Sequence, residues 1–275
     1  MIYERLGDSA LDYFPCRYGT SKLLFRGPHR KLEGVYCAVL GGTETYGKFI
    51  AVPFPALAEA ATGIKMVNFG CVNAGADVYV NDPAVIEACV RARVTVLQVT
   101  GAHNTSNRFY AVHPRRNDRF LRASPLLKAI YREVDFTEFH FTRHMLSTLF
   151  TLSPERFAVV AQELQVAWVA RMKLLLGKTD GKTVLLWIAN HSPDEAETAT
   201  GLGRDPILVT RRMINALRPH ATEVVEVVAS PKARGAGLAG KVFTALEEPA
   251  AQEMPGPLLH EETAAALVPV ITRLM

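Results

Sequence analysis

Val35-Tyr36-Cys37-Ala38-Val39-Leu40-Gly41-Gly42-Thr43-Glu44-Thr45-Tyr46-Gly47 is the stretch on which the fold turns. The run Val35–Leu40 is apolar throughout and reads as a strand buried on both faces. Two glycines and a hydroxyl follow it. In a parallel α/β protein, such an end sits at the carboxyl edge of the sheet, where backbone can approach a ligand closely. The same residues also make an ordinary turn. Their meaning therefore depends on the segments that follow.

Those segments alternate. Strands are expected at Val35–Leu40, Lys65–Phe69, Val94–Thr100, Thr183–Ala189 and Glu223–Ala229. Helices are expected at Pro53–Thr62, Pro83–Ala92, Pro154–Leu176, Pro206–Leu217 and Glu261–Leu274. Several begin with proline, which suits a first-turn position. Ser153 precedes the longest of them and is the natural cap. Strands alternating with helices imply a parallel sheet covered on both faces. The expected fold is a three-layer, doubly wound α/β domain with a five-stranded parallel sheet of flavodoxin type, spanning residues 1–275. Residues 1–34 are turn-rich and are expected to wrap the surface as an arm.

Composition narrows the class. The 275 residues are 49% hydrophobic and 21% charged, ordinary for a globular chain. The net charge of +4 is too mild to argue for nucleic acid as a partner. No apolar run is long enough to span a membrane. The first residues, Met1-Ile2-Tyr3-Glu4-Arg5, show no leader pattern. Cys16, Cys37, Cys71 and Cys89 are too widely spaced for a metal-ligand motif, and read as thiols in a reducing cytoplasm. No metal or other cofactor is expected, and a homo-oligomer is compatible with these data.

One segment breaks the rhythm. Residues 105–152, after the third strand, form an insert too long for an ordinary loop, irregular in pattern and placed near the strand ends. Residues 105–150 carry eight Lys or Arg against four Asp or Glu. Arg108, Arg115, Arg116 and Arg119 could line the mouth of a crevice and bind an anionic group. Phe109, Tyr110 and Phe120 would supply walls. The plainer reading is a solvated excursion packed by its own rings.

With strand order 2-1-3-4-5, a doubly wound sheet opens its crevice between strands one and three. Gly41-Gly42-Thr43 and Gly101-Ala102-His103-Asn104 would face each other there. Asn68-Phe69-Gly70-Cys71-Val72-Asn73 ends strand two at the same edge, and Pro257-Leu258-Leu259-His260 precedes the last helix. Taken in order, these four segments resemble the blocks of the SGNH, or GDSL-type, hydrolases: Gly-Asp-Ser-x-Thr-x-Gly, Asn-x-Gly-x-x-Gly, Gly-x-Asn-Asp and Asp-x-x-His. The resemblance covers roughly residues 35–110 and 183–275. Over its whole length the chain also resembles a bacterial family known only as a domain of unknown function, which implies no activity.

The SGNH resemblance implies Thr43 as nucleophile and His260 as the base that takes its proton. It implies Asn104, with the Gly42 and Asn73 backbone, as donors to the oxyanion. His103 joins the substrate contacts with Arg108, Tyr110, Arg115, Arg116 and Arg119. The pattern departs from the family where Thr43 replaces serine, where Gly42 and Pro257 replace aspartates, and where Asn73 replaces a glycine. Nothing in the local motif then orients His260, although Glu253 lies close in sequence. Each residue also has a plainer reading: a turn hydroxyl, a helix-terminal histidine, asparagines that satisfy their own loops.

The expected function is an esterase or acyl-transfer enzyme with a degenerate triad, acting on a small acylated substrate, anionic if the arginines line the mouth. The alternative is a catalytically silent binding protein that kept the crevice. A third reading comes from Arg17-Tyr18-Gly19-Thr20-Ser21-Lys22-Leu23, which faintly resembles the phosphosulfate loop of sulfotransferases. That loop requires a strand before it and a helix after it.

Overall fold

In the computed structural model, which describes residues 11–198 and 200–275, alternation in the strands builds a five-stranded parallel sheet. The strands are β1 (Tyr36–Gly41), β2 (Lys65–Gly70), β3 (Val94–Gln98), β6 (Lys182–Ala189) and β7 (Glu223–Val228). β4 (Tyr110–His113) and β5 (Arg116–Ala123) form a separate antiparallel hairpin. The sheet order is β2-β1-β3-β6-β7, the expected 2-1-3-4-5 arrangement of the sheet strands. The register runs Cys37 beside Met66 and Val94, Val94 beside Lys182, and Val184 beside Glu223.

The helices are α1 (Thr43–Tyr46), α2 (Phe54–Thr62), α3 (Ala76–Val80), α4 (Pro83–Arg91), α5 (Pro125–Ile130), α6 (Thr142–Leu152), α7 (Pro154–Thr179), α8 (Arg211–Leu217), α9 (Pro231–Gly235), α10 (Glu248–Glu253) and α11 (Pro257–Leu274). Period-two strands give the sheet two apolar faces. Cys37, Val39, Val94 and Val96 pack under α2 and α11. Ala38, Leu40, Leu97 and Trp187 pack under the helices of the other face, chiefly α7. The inner stripe of α7 is Phe157, Val160, Leu164, Trp168, Met172 and Leu175, at helical spacing. Ser153 caps it, its hydroxyl accepting from the Arg156 N–H at 3.3 Å.

Two helix starts differ from expectation. α8 begins at Arg211 rather than Pro206. Leu208 has φ +62°, which a helix does not accept, and the Ile207 carbonyl instead receives the Ala102 N–H at 2.9 Å. α11 begins at Pro257 rather than Glu261, with Gly256 ahead of it. Proline at the first helical position needs no N–H partner, so the helix starts where its sequence first allows.

The insert holds the hairpin, α5 and α6. Of the N-terminal segment, Tyr18, Leu23 and Phe25 are buried, with Cys16 and Phe25 bridged backbone to backbone. The leader reading of the first residues, and the first ten residues of the arm, lie outside the described residues. Among the described residues, no strand leads into Arg17–Leu23 and no helix follows it, and Ser21 donates to Asp82 at 2.6 Å. That geometry removes the sulfotransferase reading. All four cysteines are free thiols, and Cys16 is only half-buried. Burial pushes Cys37, Cys71 and Cys89 up to about 12. Among the described residues, no helix is long and apolar enough to cross a membrane.

Candidate functional site

Backbone packing at the end of β1 shapes the site. A Cβ on Gly41 would overlap Thr45 Oγ1 and Gln98 Oε1, so only glycine fits there. The Gln98 carbonyl fills that space. It accepts from the Gly42 N–H at 2.9 Å, the Thr45 N–H at 3.2 Å and the Thr45 hydroxyl at 2.6 Å. Its amide nitrogen donates to Glu44 Oε2 at 2.6 Å. One side chain from β3 thus fixes the start of α1, and with it Thr43. From the other face, the Trp168 indole N–H donates to the Thr100 carbonyl at 2.8 Å and holds the loop after β3.

The loop after β2 closes over this point. Asn73 sits at φ +56°, the backbone region a glycine adopts freely and an asparagine tolerates. Its N–H donates to Thr43 Oγ1 at 3.0 Å, and Thr43 donates to Asn73 Oδ1 at 3.3 Å. The Asn104 amide donates to the Asn73 carbonyl at 3.2 Å and accepts from the Thr142 hydroxyl at 2.9 Å. Buried Asn117 on β5 accepts from the Gly75 and Val78 N–H groups at 3.0 and 3.1 Å, fastening the same loop to the hairpin.

Thr43, Asn73, Asn104, Gly42 and His103 all line one crevice of about 700 Å³ outside the carboxyl ends of β1 and β3. That volume suits a small molecule. Thr142, Arg143 and His144 of the insert line it as well. Burial holds His103 largely neutral, its pKa lowered to about 4, with Asp205 pulling up and Arg143 pulling down. Burial, opposed by the Gln98 hydrogen bond and helped by Asp205, raises the Glu44 carboxyl.

His260 is elsewhere. The early start of α11 places it within the first turns, on the buried stripe with Thr263, Ala264 and Leu267. Its Nδ1 accepts the Phe54 N–H at 3.1 Å, its ring stacks on Phe54, and it does not line the crevice. It makes no hydrogen bond to Thr43 among the described residues. Burial, with Arg26 nearby, lowers its pKa to about 3. It caps the first turn of α2. Glu253 lines the crevice and makes no described hydrogen bond to His260.

The four arginines are likewise absent from the crevice lining. Arg108 pairs with Glu163 at 2.7 Å, and Arg119 lies over the Phe141 ring, 4.3 Å from its centroid. Arg115 and Arg116 are exposed at the hairpin turn, which points charge to water. Tyr110 is buried, its hydroxyl donating to the His103 carbonyl at 2.6 Å, so it supports the wall rather than touching a ligand. Sequence reasoning missed Gln98, Asp118, Arg143 and Asp205. For Gln98 a signal existed: a lone amide at the carboxyl end of an apolar strand. Among the described residues, no group of three or more His, Cys, Asp or Glu could hold a metal.

A 2-1-3-4-5 parallel sheet, with the loops of its first three strands converging on one crevice, defines a doubly wound α/β protein of flavodoxin type. The chain belongs to the DUF6473 family, a domain of unknown function, whose model matches residues 1–275. No curated protein matches it. Three solved structures are similar at low identity. The first is a carbohydrate esterase family 2 enzyme with a carbohydrate-binding domain, from Corynascus thermopiles (Myceliophthora fergusii). It matches at TM-score 0.44 and 11% identity, over 90% of this chain and 68% of that one. The second is a lipase from a goat rumen metagenome, at TM-score 0.41 and 12% identity, over 85% and 97%. The third is a protein from Slackia heliotrinireducens classed with the SGNH hydrolases, at TM-score 0.39 and 13% identity, over 87% and 100%.

Proposed function

We propose that the protein binds a small polar molecule in the crevice at the ends of β1 and β3 and does not turn it over through a histidine-activated hydroxyl. The observation that carries this reading is that Thr43 and His260 are each hydrogen-bonded to other residues, and only Thr43 lines the crevice. Thr43 is hydrogen-bonded to Asn73 on both its donor and acceptor sides. His260 gives its Nδ1 to the Phe54 N–H. A hydroxyl without a base is a poor nucleophile. The donors expected to meet an oxyanion are also engaged, Asn73 N–H by Thr43 and the Asn104 amide by the Asn73 carbonyl.

The test uses a fluorophosphonate probe and p-nitrophenyl acetate on the parent and on Thr43→Ala. The expected result is no covalent label and equal, background-level hydrolysis by both proteins. Labelling that disappears with Thr43→Ala would overturn the binding reading.

One observation favours a second reading, an esterase or acyl-transfer enzyme with a different base. Thr43 shares the crevice with His103, a neutral histidine. Under that reading, hydrolysis depends on Thr43 and His103 together and is indifferent to His260.

A further inference from the structure

The chain carries a net charge of +4, yet the crevice runs the other way. Glu44, Asp118, Asp205 and Glu253 line it against Lys48 and Arg143. Arg143 is paired with Asp205, and Lys48 reaches Glu247, outside the lining, at 3.5 Å. No described ion pair compensates Glu44, Asp118 or Glu253. The partners of Glu44 and Asp118 are neutral amides, Gln98 at 2.6 Å and Asn73 at 3.3 Å. Amide donors orient these carboxyl groups without adding positive charge; burial raises the Glu44 carboxyl, and a cation beside it favours the ionised form. Glu44 follows Thr43 in the chain, Asp118 accepts from Asn73, which in turn accepts from Thr43, and both acids line the same crevice.

A second feature is independent of these acids. His103 is only 7% exposed, and its Nδ1 is buried without a partner. Its Nε2 makes no described hydrogen bond either, and it is not among the fully buried unpaired atoms. That nitrogen is therefore not sealed inside the protein, and the residue lines the crevice. An open, unpaired ring nitrogen on a wall residue offers a hydrogen bond to a molecule in the crevice. Because burial holds the ring neutral, it does not repel a cation.

We propose that the crevice receives a small ligand bearing an ammonium group, which the Glu44 and Asp118 carboxylates attract while His103 Nε2 hydrogen-bonds a polar group of the same molecule. This rests on the crevice-binding reading and names its ligand class. An anionic ligand would face uncompensated like charge there.

Calorimetric titration of the full chain at low salt and pH 7.5 tests it with three matched esters. These are acetylcholine, its uncharged isostere 3,3-dimethylbutyl acetate, and anionic monomethyl succinate. Acetylcholine is expected to bind at least about tenfold more tightly than the isostere. Its affinity should fall with added sodium chloride while that of the isostere does not. Glu44→Gln with Asp118→Asn should erase the preference for acetylcholine over the isostere, with Glu133→Gln as an exposed charge control. Equal or tighter binding of the isostere, or acetylcholine affinity unchanged in the double variant, overturns the ammonium inference while the crevice reading stands. Tightest binding of monomethyl succinate does the same. Failure of all three esters to bind overturns both.

Discussion

Gln98 shows how much one side chain can hold. Its carbonyl satisfies two backbone N–H groups and a hydroxyl that have no water to turn to. Gln98→Leu keeps the volume and removes the acceptor. Each orphaned buried donor costs about 1–3 kcal/mol, so a loss of about 3 kcal/mol or more is expected in urea unfolding. Asn73 is the complementary case, a residue chosen by backbone. Asn73→Gly should leave stability nearly unchanged, and Asn73→Ala should lower it by about 1 kcal/mol because φ is positive there. Equal melting of the two variants would refute that account. The glycine departure at position 73 was visible in the sequence, but its meaning was not. An asparagine in a Gly/Asn loop gives no sign that it occupies the left-handed region until the chain is folded.

At the level of elements, the sequence was most legible where one signal governed. Ser153 ahead of Pro154 fixed the start of α7, and the apolar runs fixed the five sheet strands to within a residue or two. It misled where two signals competed. Pro257 read as a loop residue because of the prolines and glycines around it, yet it is a first-turn proline. That difference moves His260 from a loop tip to a buried stripe and removes it from the crevice. The hairpin was illegible for another reason: its strands expose arginines to water on one side, so no apolar period marks them. The end of α1 rests on a charge from the N-terminal segment. Buried Arg26 donates to the carbonyls of Tyr46, Gly47 and Ala51 at 3.3, 2.6 and 2.8 Å. Arg26→Met keeps the stem and drops the donors, and should cost about 2 kcal/mol or more in denaturant unfolding. A cost below experimental error would mean that water replaces the guanidinium.

For the whole molecule, two of the buried histidines, His260 and His103, make stability a function of pH. His260 and His103 have folded pKa values near 3 and near 4, against an ordinary value near 6.5. Between those limits the unfolded chain binds protons that the folded one refuses. Stability is therefore full above about pH 6.5 and falls as the pH drops toward 3–4. Each histidine contributes a slope of up to about 1.4 kcal/mol per pH unit in its window. His260→Asn supplies an uncharged oxygen for the Phe54 N–H and should flatten the dependence by about one proton. An unaltered slope in denaturation at pH 4–7 would show that His260 titrates normally. Sheet order and crevice position were legible because topology alone sets them. The charge of the crevice was not, since Glu44, Asp118 and Asp205 come from three distant segments and meet only after folding.

The hydrogen bond from Phe54 to His260 spans 206 positions in sequence. α11 and α2 together cover one entire apolar face of the sheet, over Cys37, Val39, Val94, Val96, Val184 and Leu186. During synthesis the part of that face under α11 stays bare until residues 257–274 have left the ribosome. β1, β2, β3, β6 and β7 are all available earlier, but a sheet assembled from them alone would show water a strip of Val and Leu. The nascent chain therefore carries a risk of aggregation until α11 is made. A ribosome-stalled chain ending at residue 250 should bind a trigger-type chaperone that a chain extended through residue 274 releases.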